Sequence, residues 1–160
     1  AEIAVQTAKV ARRFGVAPVV AMLSFSNFGS SRAQRSERIE DAISFARELD
    51  PSLVIDGPMQ ADTALNGDVQ GEYPFMEFNG AANVLVLPNL AAANIAYKLL
   101  EELGKAEMTG PMLEGMSQPV QLVARQDGGR HIVNMAAICA ADAIRQEPYW
   151  ESLVEPVDED

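Results

Sequence analysis

Cysteine, histidine and tryptophan each occur only once in this sequence of 160 residues. Cys139 has no second thiol with which to close an internal disulfide bond. It stands in the apolar run "NMAAICAADAI", and a reactive thiol would need a partnering base, so we expect a buried and inert one. A single histidine without a cysteine cluster does not give the ligand spacing of zinc, and no metal site is predicted.

Positive charge is also scarce, because 12 Lys and Arg residues stand against 23 Asp and Glu, for a net charge of -11. This balance argues against nucleic acid and anionic membrane as partners, since both need a basic face. A small anionic ligand is compatible if a basic pocket or a helix N-terminus receives it. No apolar run reaches the length of a bilayer span and no signal peptide is evident, so we expect a cytoplasmic setting.

Apolar runs alternate with helical patterns along the whole chain. The predicted strands are 16–25, 52–57, 82–89, a short one within 106–118, and "PVQLVA" at 119–124. The predicted helices are 2–14, 36–50, 58–66, 90–104 and 130–146. In the helix at 36–50, Ser36 is the predicted N-cap, and the residues predicted to face inward are Ile39, Ile43, Phe45 and Leu49. This alternation predicts an α/β fold, a three-layer α/β/α arrangement with a mostly parallel sheet.

Ligands of such sheets bind beyond the carboxyl ends of the strands, so the residues that follow each strand are the candidates. After the first strand, "SFSNFGSS" contains Ser26 and Asn27, whose hydroxyl, amide and backbone groups are suited to a phosphate or acyl oxygen. No Walker lysine follows the glycine, so a nucleotide P-loop is not predicted. The alternative is a polar loop that caps the next helix, and the residues alone favour it.

Two further strand ends carry weaker signals. Asp56 and Asp62 in "DGPMQAD", with Glu77 further along, are suited to acid–base work only if they meet, and Asp56 before Gly-Pro is more typical of a turn. In "PNLAAANIAYK", the ordinary interpretation is a helix N-cap at Asn89 and a solvated Lys98.

The last strand end, "ARQDGGRHIV", gives the sharpest signal. Arg125 and Arg130 are suited to binding phosphate beside a helix N-terminus, and His131 to acting as a base. No good nucleophile is near, because Ala124 lacks a hydroxyl and Asp127 lies in a glycine turn. A binding site and a merely structural loop have equal weight here.

The sequence resembles the second half of a phosphate acetyltransferase domain, most closely the version at the C-terminus of bacterial NADP-dependent malic enzymes. The matching stretches, in the order of that family, are "VAPVVAMLSFSNFGS", "LVIDGPMQAD", "ANVLVLPNLAAANIAYKLL", "TGPMLEGMSQPVQLVAR" and "HIVNMAAICAADAI". The resemblance implies a second subdomain at 1–108, a closing strand and helix at 109–148 that pack towards a missing first subdomain, and an acidic tail at 149–160. It further implies a truncated or proteolysed piece whose ligand cleft is incomplete, and a homodimer through this domain.

Active members of that family carry a serine–arginine pair after the "PV" strand, and an aspartate seven residues beyond that serine. Arg125 matches the arginine, while Ala124 replaces the serine and His131 the aspartate. The basic residue that often follows the glycine before the family's "VFPDL" strand is also missing, because Ala81 follows Gly80. The resemblance therefore implies no catalytic residue. The residues it implies for binding acetyl-CoA or phosphate are Ser26, Asn27, Gly110, Pro111, Arg125 and His131.

Three hypotheses about function follow. The first is a non-catalytic, acetyl-CoA-sensing regulatory and oligomerisation domain of an NADP-dependent malic enzyme. Oxidative decarboxylation of malate to pyruvate, NADP and a divalent metal would then belong to an upstream domain absent from this sequence. The second is an active phosphate acetyltransferase that moves acetyl between acetyl phosphate and CoA, with His131 as a substitute base. The third is a structural dimerisation module that binds no ligand.

Overall fold

The structure of the protein is a computed structural model that describes residues 1–29, 34–125 and 127–145, with the backbone alone for 34–36. The chain divides into two compact units, unit 1 at Ala1–Glu102 and unit 2 at Leu103–Asp160. The predicted acidic tail at 149–160 lies outside the described residues.

Unit 1 alternates helices and strands, as the sequence predicts. Its elements in chain order are α1 (Glu2–Arg13), β1 (Val19–Leu23), α2 (Gln34–Leu49), β2 (Val54–Met59), α3 (Ala61–Leu65), α4 (Gly67–Gln70), β3 (Val84–Val86) and α5 (Leu90–Gly104), whose last residues belong to unit 2. β1 lies in the middle of a parallel sheet of order β2-β1-β3. Val20 of β1 pairs with Ile55 on one side and Val84 on the other. The α/β class with a parallel sheet flanked by helices is therefore confirmed.

Both faces of this sheet are buried, which explains why its strands are apolar runs and not alternating patterns. Successive residues of β1 point to opposite faces. Val20 and Met22 pack with α1 and α2 in a cluster that includes Ala4, Val5, Ala8, Ile43, Ala46 and Ile55. Ala21 and Leu23 pack on the other face with Met59, Ala64 and Ala82.

Two expectations about α2 are wrong. The helix begins at Gln34, so Ser36 lies inside its first turn and is not the N-cap. Ile43 is buried, but Phe45 and Leu49 are 59% and 60% exposed. A helix turns about 100° per residue, so Phe45 points away from the stripe on which Ile43 lies. The small residue Ala46 continues that stripe against the sheet.

Unit 2 has one long helix, α6 (Gly129–Arg145), close to its predicted bounds. The strand predicted at 119–124 is wrong, and the short strand predicted within 106–118 is likewise reduced to a single point of pairing. In the described part of unit 2, one antiparallel bridge between Met112 and Gln121 is all that forms. Leu122 and Val123 are each 51% exposed. An apolar run becomes a strand only beside a partner, and this segment has one for a single residue.

No described helix is both long and apolar enough to cross a bilayer.

Candidate functional site

In unit 1, the loop after β1 lies against the segment that ends β2. The Ser24 N–H donates to the Met59 carbonyl at 2.8 Å, and the Phe28 N–H donates to the Pro58 carbonyl at 2.7 Å. The loop that carries Ser26 and Asn27 is therefore held at the carboxyl end of the sheet, which is where ligands of α/β proteins bind.

Asn27 is used inside the protein. Its Oδ1 accepts a hydrogen bond from the Gln60 N–H at 2.7 Å. Its Nδ2 donates to Gln60 Oε1 at 3.2 Å and to Tyr73 Oη at 3.1 Å. Gln60 Nε2 in turn donates to the Phe25 carbonyl at 2.8 Å. Asn27 thus acts as the brace of the loop, and Gln60 and Tyr73 are its partners.

Sequence reasoning missed these two partners. Gln60 could have been found, because it directly follows β2 and carries a donor and an acceptor at a strand's carboxyl end. Nothing in the sequence indicates Tyr73, because it lies far along the chain, after α4.

Ser26 differs from its neighbour. It is only 7% exposed, and its Oγ has no hydrogen-bond partner among the described residues. A buried hydroxyl without a partner costs about 1–3 kcal/mol. Ser26 is therefore the predicted ligand residue of unit 1 with unused hydrogen-bonding capacity. Thr63 Oγ1 in α3 is also buried and unpartnered.

Three aromatic rings pack beside this loop. The ring centroid of Phe28 lies 5.2 Å from that of Tyr73 and 4.9 Å from that of Phe75. Phe28 and Gly29 both have positive φ, at 44° and 73°. The ring contacts and the Phe28 N–H bond hold a backbone conformation that is unfavourable for phenylalanine.

The carboxylates near this end of the sheet do not form an acid–base pair. Asp56 Oδ1 accepts from the Gly57 N–H and Oδ2 from the Glu77 N–H, at 2.8 and 2.9 Å. The Glu77 carboxylate lies 3.5 Å from the Arg47 guanidinium. Asp62 Oδ1 accepts from the N–H of its neighbour Thr63. Asp56 is thus a structural turn residue, as its position before Gly-Pro indicates.

The residues after β3 have the structural roles that the sequence predicts, an N-cap at Asn89 and a solvated Lys98. Asn89 Oδ1 accepts from the Ala92 N–H at 2.9 Å and caps α5. Lys98 is exposed and pairs with Glu101 at 2.8 Å. That hydrogen bond to Glu101 raises the pKa of Lys98 above its ordinary value of 10.5.

In unit 2, Arg125 lies in a turn beside Ala124, and Asp127 contacts Ala124. The Asp127 N–H donates to the Ala124 carbonyl at 3.0 Å. In the opposite direction, the Ala124 N–H donates to Asp127 Oδ2 at 2.6 Å. Arg125 is exposed, and its guanidinium makes no hydrogen bond or ion pair with the described residues. It is therefore available to an anion.

His131 follows the Arg125 turn in the chain and lies in the first helical turn of α6. Its Nε2 is 3.5 Å from Asp127 Oδ2, and its side chain is 20% exposed. Arg130 differs from Arg125 in having a carboxylate partner, because its guanidinium lies 3.0 Å from Glu107. Cys139, further along α6, is partly buried, and its thiol donates to the Pro119 carbonyl at 3.4 Å.

Gly110 and Pro111 precede the single antiparallel bridge of unit 2. Met112 pairs with Gln121, and the Leu113 N–H donates to Gln121 Oε1 at 3.2 Å. The bridge lays this loop alongside the segment that continues to Arg125. Unit 2 thus contains four of the six predicted ligand residues, and Asp127 contacts both His131 and Ala124, the residue before Arg125.

A family model described as "Phosphate acetyl/butaryl transferase" matches residues 1–140, and the chain belongs to that family. It is 41% identical over 145 residues to the phosphate acetyltransferase of Bacillus subtilis (strain 168), covering 90% of this chain and 45% of that protein. It is 43% identical over 145 residues to the NADP-dependent malic enzyme of Salmonella typhimurium, covering 89% of this chain and 19% of that protein.

Solved structures agree with this assignment. A phosphotransacetylase from Streptococcus pyogenes matches with a TM-score of 0.84 and 38% identity, over 90% of this chain and 44% of that one. The chain therefore spans less than half the length of the relatives it matches. Identity does not separate the transferases from the malic enzymes, so the distinction depends on the residues of the site.

Proposed function

We propose that this chain is a non-catalytic domain that senses acetyl-CoA and supports oligomerisation in an NADP-dependent malic enzyme. Malate decarboxylation would belong to an upstream domain of the same protein, which would also hold NADP and a divalent metal. Within the described residues, no three His, Cys, Asp or Glu side chains are grouped as metal ligands. A cytoplasmic location stays a prediction from composition.

The observation that carries the proposal is that the Arg125 guanidinium has no partner among the described residues. An arginine is charged at every physiological pH and offers paired donors that match a phosphate. The chain carries a net charge of -11, yet Arg125 has no carboxylate partner in the described structure. Its position in an exposed turn gives a phosphate direct access.

Beside Arg125, Ala124 does not provide the hydrogen-bond donors that acetyl transfer would need. Ala124 has no hydroxyl, and its N–H is already bonded to Asp127 Oδ2 at 2.6 Å. Neither group is free to donate to a developing oxyanion, a contribution of roughly 3 kcal/mol. A site of this kind can bind acetyl-CoA without turning it over. Regulation then requires only that acetyl-CoA favours one arrangement of the assembly.

Unit 1 has a separate part in this proposal. Ser26 stays a predicted ligand residue, and its buried hydroxyl has unused hydrogen-bonding capacity among the described residues. Asn27 supports the loop through Gln60 and stays predicted as a ligand residue. Gly110 and Pro111 stay predicted as loop contacts.

The proposed homodimer is supported by α5. None of its 15 residues is buried. Leu90 and Leu103 are 84% and 80% exposed, and Ile95 is 62% exposed. An apolar helix without a fully buried residue is a surface to be covered, and a second copy is the proposed occupant. Leu99→Glu should then shift the mass of the intact protein, measured by light scattering, towards the monomer.

The test compares two arginines of unit 2 in the intact malic enzyme. Arg125→Ala should abolish the response of malic activity to acetyl-CoA while leaving activity without acetyl-CoA unchanged. Arg130→Ala is the matched control, because Arg130 forms an exposed ion pair with Glu107 worth at most about 1 kcal/mol. An unchanged response in Arg125→Ala contradicts the proposal. Absence of acetyl-CoA binding to the intact wild-type protein favours a structural dimerisation module.

One observation favours active acetyl transfer as a second candidate. Asp127 Oδ2 lies 3.5 Å from His131 Nε2, and a carboxylate beside an imidazole orients that ring as a base. His131 would accept the CoA thiol proton, the sulfur would bond to the acetyl carbon, and phosphate would leave with its oxygen. Robust turnover of acetyl phosphate and CoA that His131→Ala abolishes would establish this candidate.

A further inference from the structure

Asp127 closes the Arg125 turn from both sides. Its backbone N–H donates to the Ala124 carbonyl at 3.0 Å, and its Oδ2 accepts the Ala124 N–H at 2.6 Å. The two bonds run in opposite directions between the same pair of residues. They fix the distance between Ala124 and Asp127, which lie on either side of Arg125 in the sequence.

The same carboxylate also connects this turn to α6. Asp127 Oδ2 lies 3.5 Å from His131 Nε2, and the two side chains are only 23% and 20% exposed. The Ile132 N–H donates to the Gly128 carbonyl, where the helix begins. One oxygen atom therefore faces both the turn and the first turn of the helix.

Among the described residues, few other contacts hold the segment around Arg125. The residues before it do not form a ladder, and Leu122 and Val123 are each 51% exposed. In unit 1 the corresponding loops follow paired strands, whose hydrogen bonds fix where each loop begins. In unit 2 the side chain of Asp127 takes over that role.

We propose that Asp127 is a positioning residue that sets the place of the Arg125 guanidinium, a role that rests on the proposed binding of acetyl-CoA at Arg125. It acts as a hydrogen-bond acceptor and not through its charge. A carboxylate close to an anionic ligand would by itself oppose binding. The acceptor role holds the turn in the conformation that presents the arginine.

Three substitutions in the full chain separate these roles. Asp127→Asn keeps an acceptor at the same distance and removes the charge. Asp127→Glu keeps the charge and moves the acceptor, and Asp127→Ala removes both. Glu72→Ala is the control, because Glu72 is exposed and its side chain has no partner among the described residues.

Two measurements are made on each variant, exchange of the Ala124 amide by NMR without ligand and the affinity for acetyl-CoA by calorimetry. We expect Asp127→Asn and Glu72→Ala to match the wild type. Asp127→Glu and Asp127→Ala should show faster Ala124 exchange and about tenfold weaker binding, as expected when the hydrogen bond that holds the turn is lost.

Wild-type affinity in Asp127→Glu together with altered affinity in Asp127→Asn would show a charge effect and overturn the inference. Unchanged affinity and exchange in all variants would overturn it as well, with the proposed function intact. If the wild-type chain binds no acetyl-CoA, the proposed function fails and this role fails with it. Because Asn and Glu are conservative replacements, the comparison stands even if Asp127→Ala does not fold.

Discussion

The tripeptide Gly-Pro-Met occurs twice, at 57–59 in unit 1 and at 110–112 in unit 2. In unit 1 it ends β2, and Met59 is fully buried. Gly57 has a φ of +140°, and a Cβ placed there would lie 2.6 Å from the Met22 carbonyl oxygen of the neighbouring strand. This copy is fitted into the core of the sheet.

The copy in unit 2 has almost the same backbone and a different environment. Gly110 has a φ of +135°, and a Cβ there would meet nothing closer than the Met112 N at 3.3 Å. Pro111 is exposed, and Met112 takes part only in the bridge to Gln121. The same local sequence thus serves as a packed strand end in one unit and as an open loop in the other.

The difference shows what holds each unit in shape. Packing on both faces of the sheet specifies unit 1, because its strands are buried and its loops follow paired residues. A few hydrogen bonds specify the region around Arg125 in unit 2. Substitutions in unit 1 should therefore act mainly on stability, and substitutions near Arg125 mainly on binding.

The largest expected effect concerns the two glycines. Gly57→Ala should lower the free energy of unfolding by about 4 kcal/mol, because strained φ and close contact with the strand backbone add together. Gly110→Ala should cost about 1 kcal/mol, from strained φ without a severe clash. Urea denaturation measures both, and equal losses would contradict the distinction between the units.

The methionines give the next contrast. Met59 is 0% exposed, so Met59→Ala should lower the free energy of unfolding by about 3 kcal/mol through lost burial and a cavity. Met112 is only partly buried, and Met112→Ala should cost about 1 kcal/mol or less. A larger loss in Met112→Ala than in Met59→Ala would mean that unit 2 has a core of comparable density.

The smallest effect we expect is a loss of stability at low pH that depends on Asp50. Hydrogen bonds from Ser52 and Arg12 hold the pKa of Asp50 below its ordinary 3.8. A carboxyl group whose pKa is lower in the folded than in the unfolded state stabilises the fold at pH values above its unfolded-state pKa. This stabilisation is lost as the pH falls through the folded-state pKa. Asp50→Asn should therefore be less stable than wild type at pH 7. The difference in stability between the two proteins should disappear as the pH falls below 3.8. Glu107→Gln, whose partner Arg130 is 81% exposed, is the comparison and should have nearly the stability of wild type at pH 7. Urea midpoints across pH test both variants.

The sequence predicts the elements that its periodicity determines alone. α5 and α6 have long patterns and glycine at or near their ends, and the three buried strands are apolar runs between turns. The run at 119–124 fails because hydrophobicity does not reveal whether a pairing partner exists. Phe45 was misplaced because its size indicates burial, whereas the helical stripe around Ile43 is continued by alanine.

The site shows a similar limit. Arg125 and His131 were found because they replace or match residues of a known pattern. Asp127 was seen as part of a glycine turn, and its bond to the Ala124 N–H appears only in three dimensions. Asn27 looked like a free donor, but its amide is used by Gln60 and Tyr73, which are distant in sequence. Hydrogen-bond partners across the fold are not encoded in local spacing.

One experiment tests whether the protein binds acetyl-CoA without converting it. The intact protein is titrated with acetyl-CoA by calorimetry, and the same sample, supplied with inorganic phosphate, is assayed for released CoA thiol. The account predicts saturable binding that Arg125→Ala abolishes and no CoA release above the rate without protein. Catalytic release of CoA that depends on His131, or binding that survives Arg125→Ala unchanged, would contradict it.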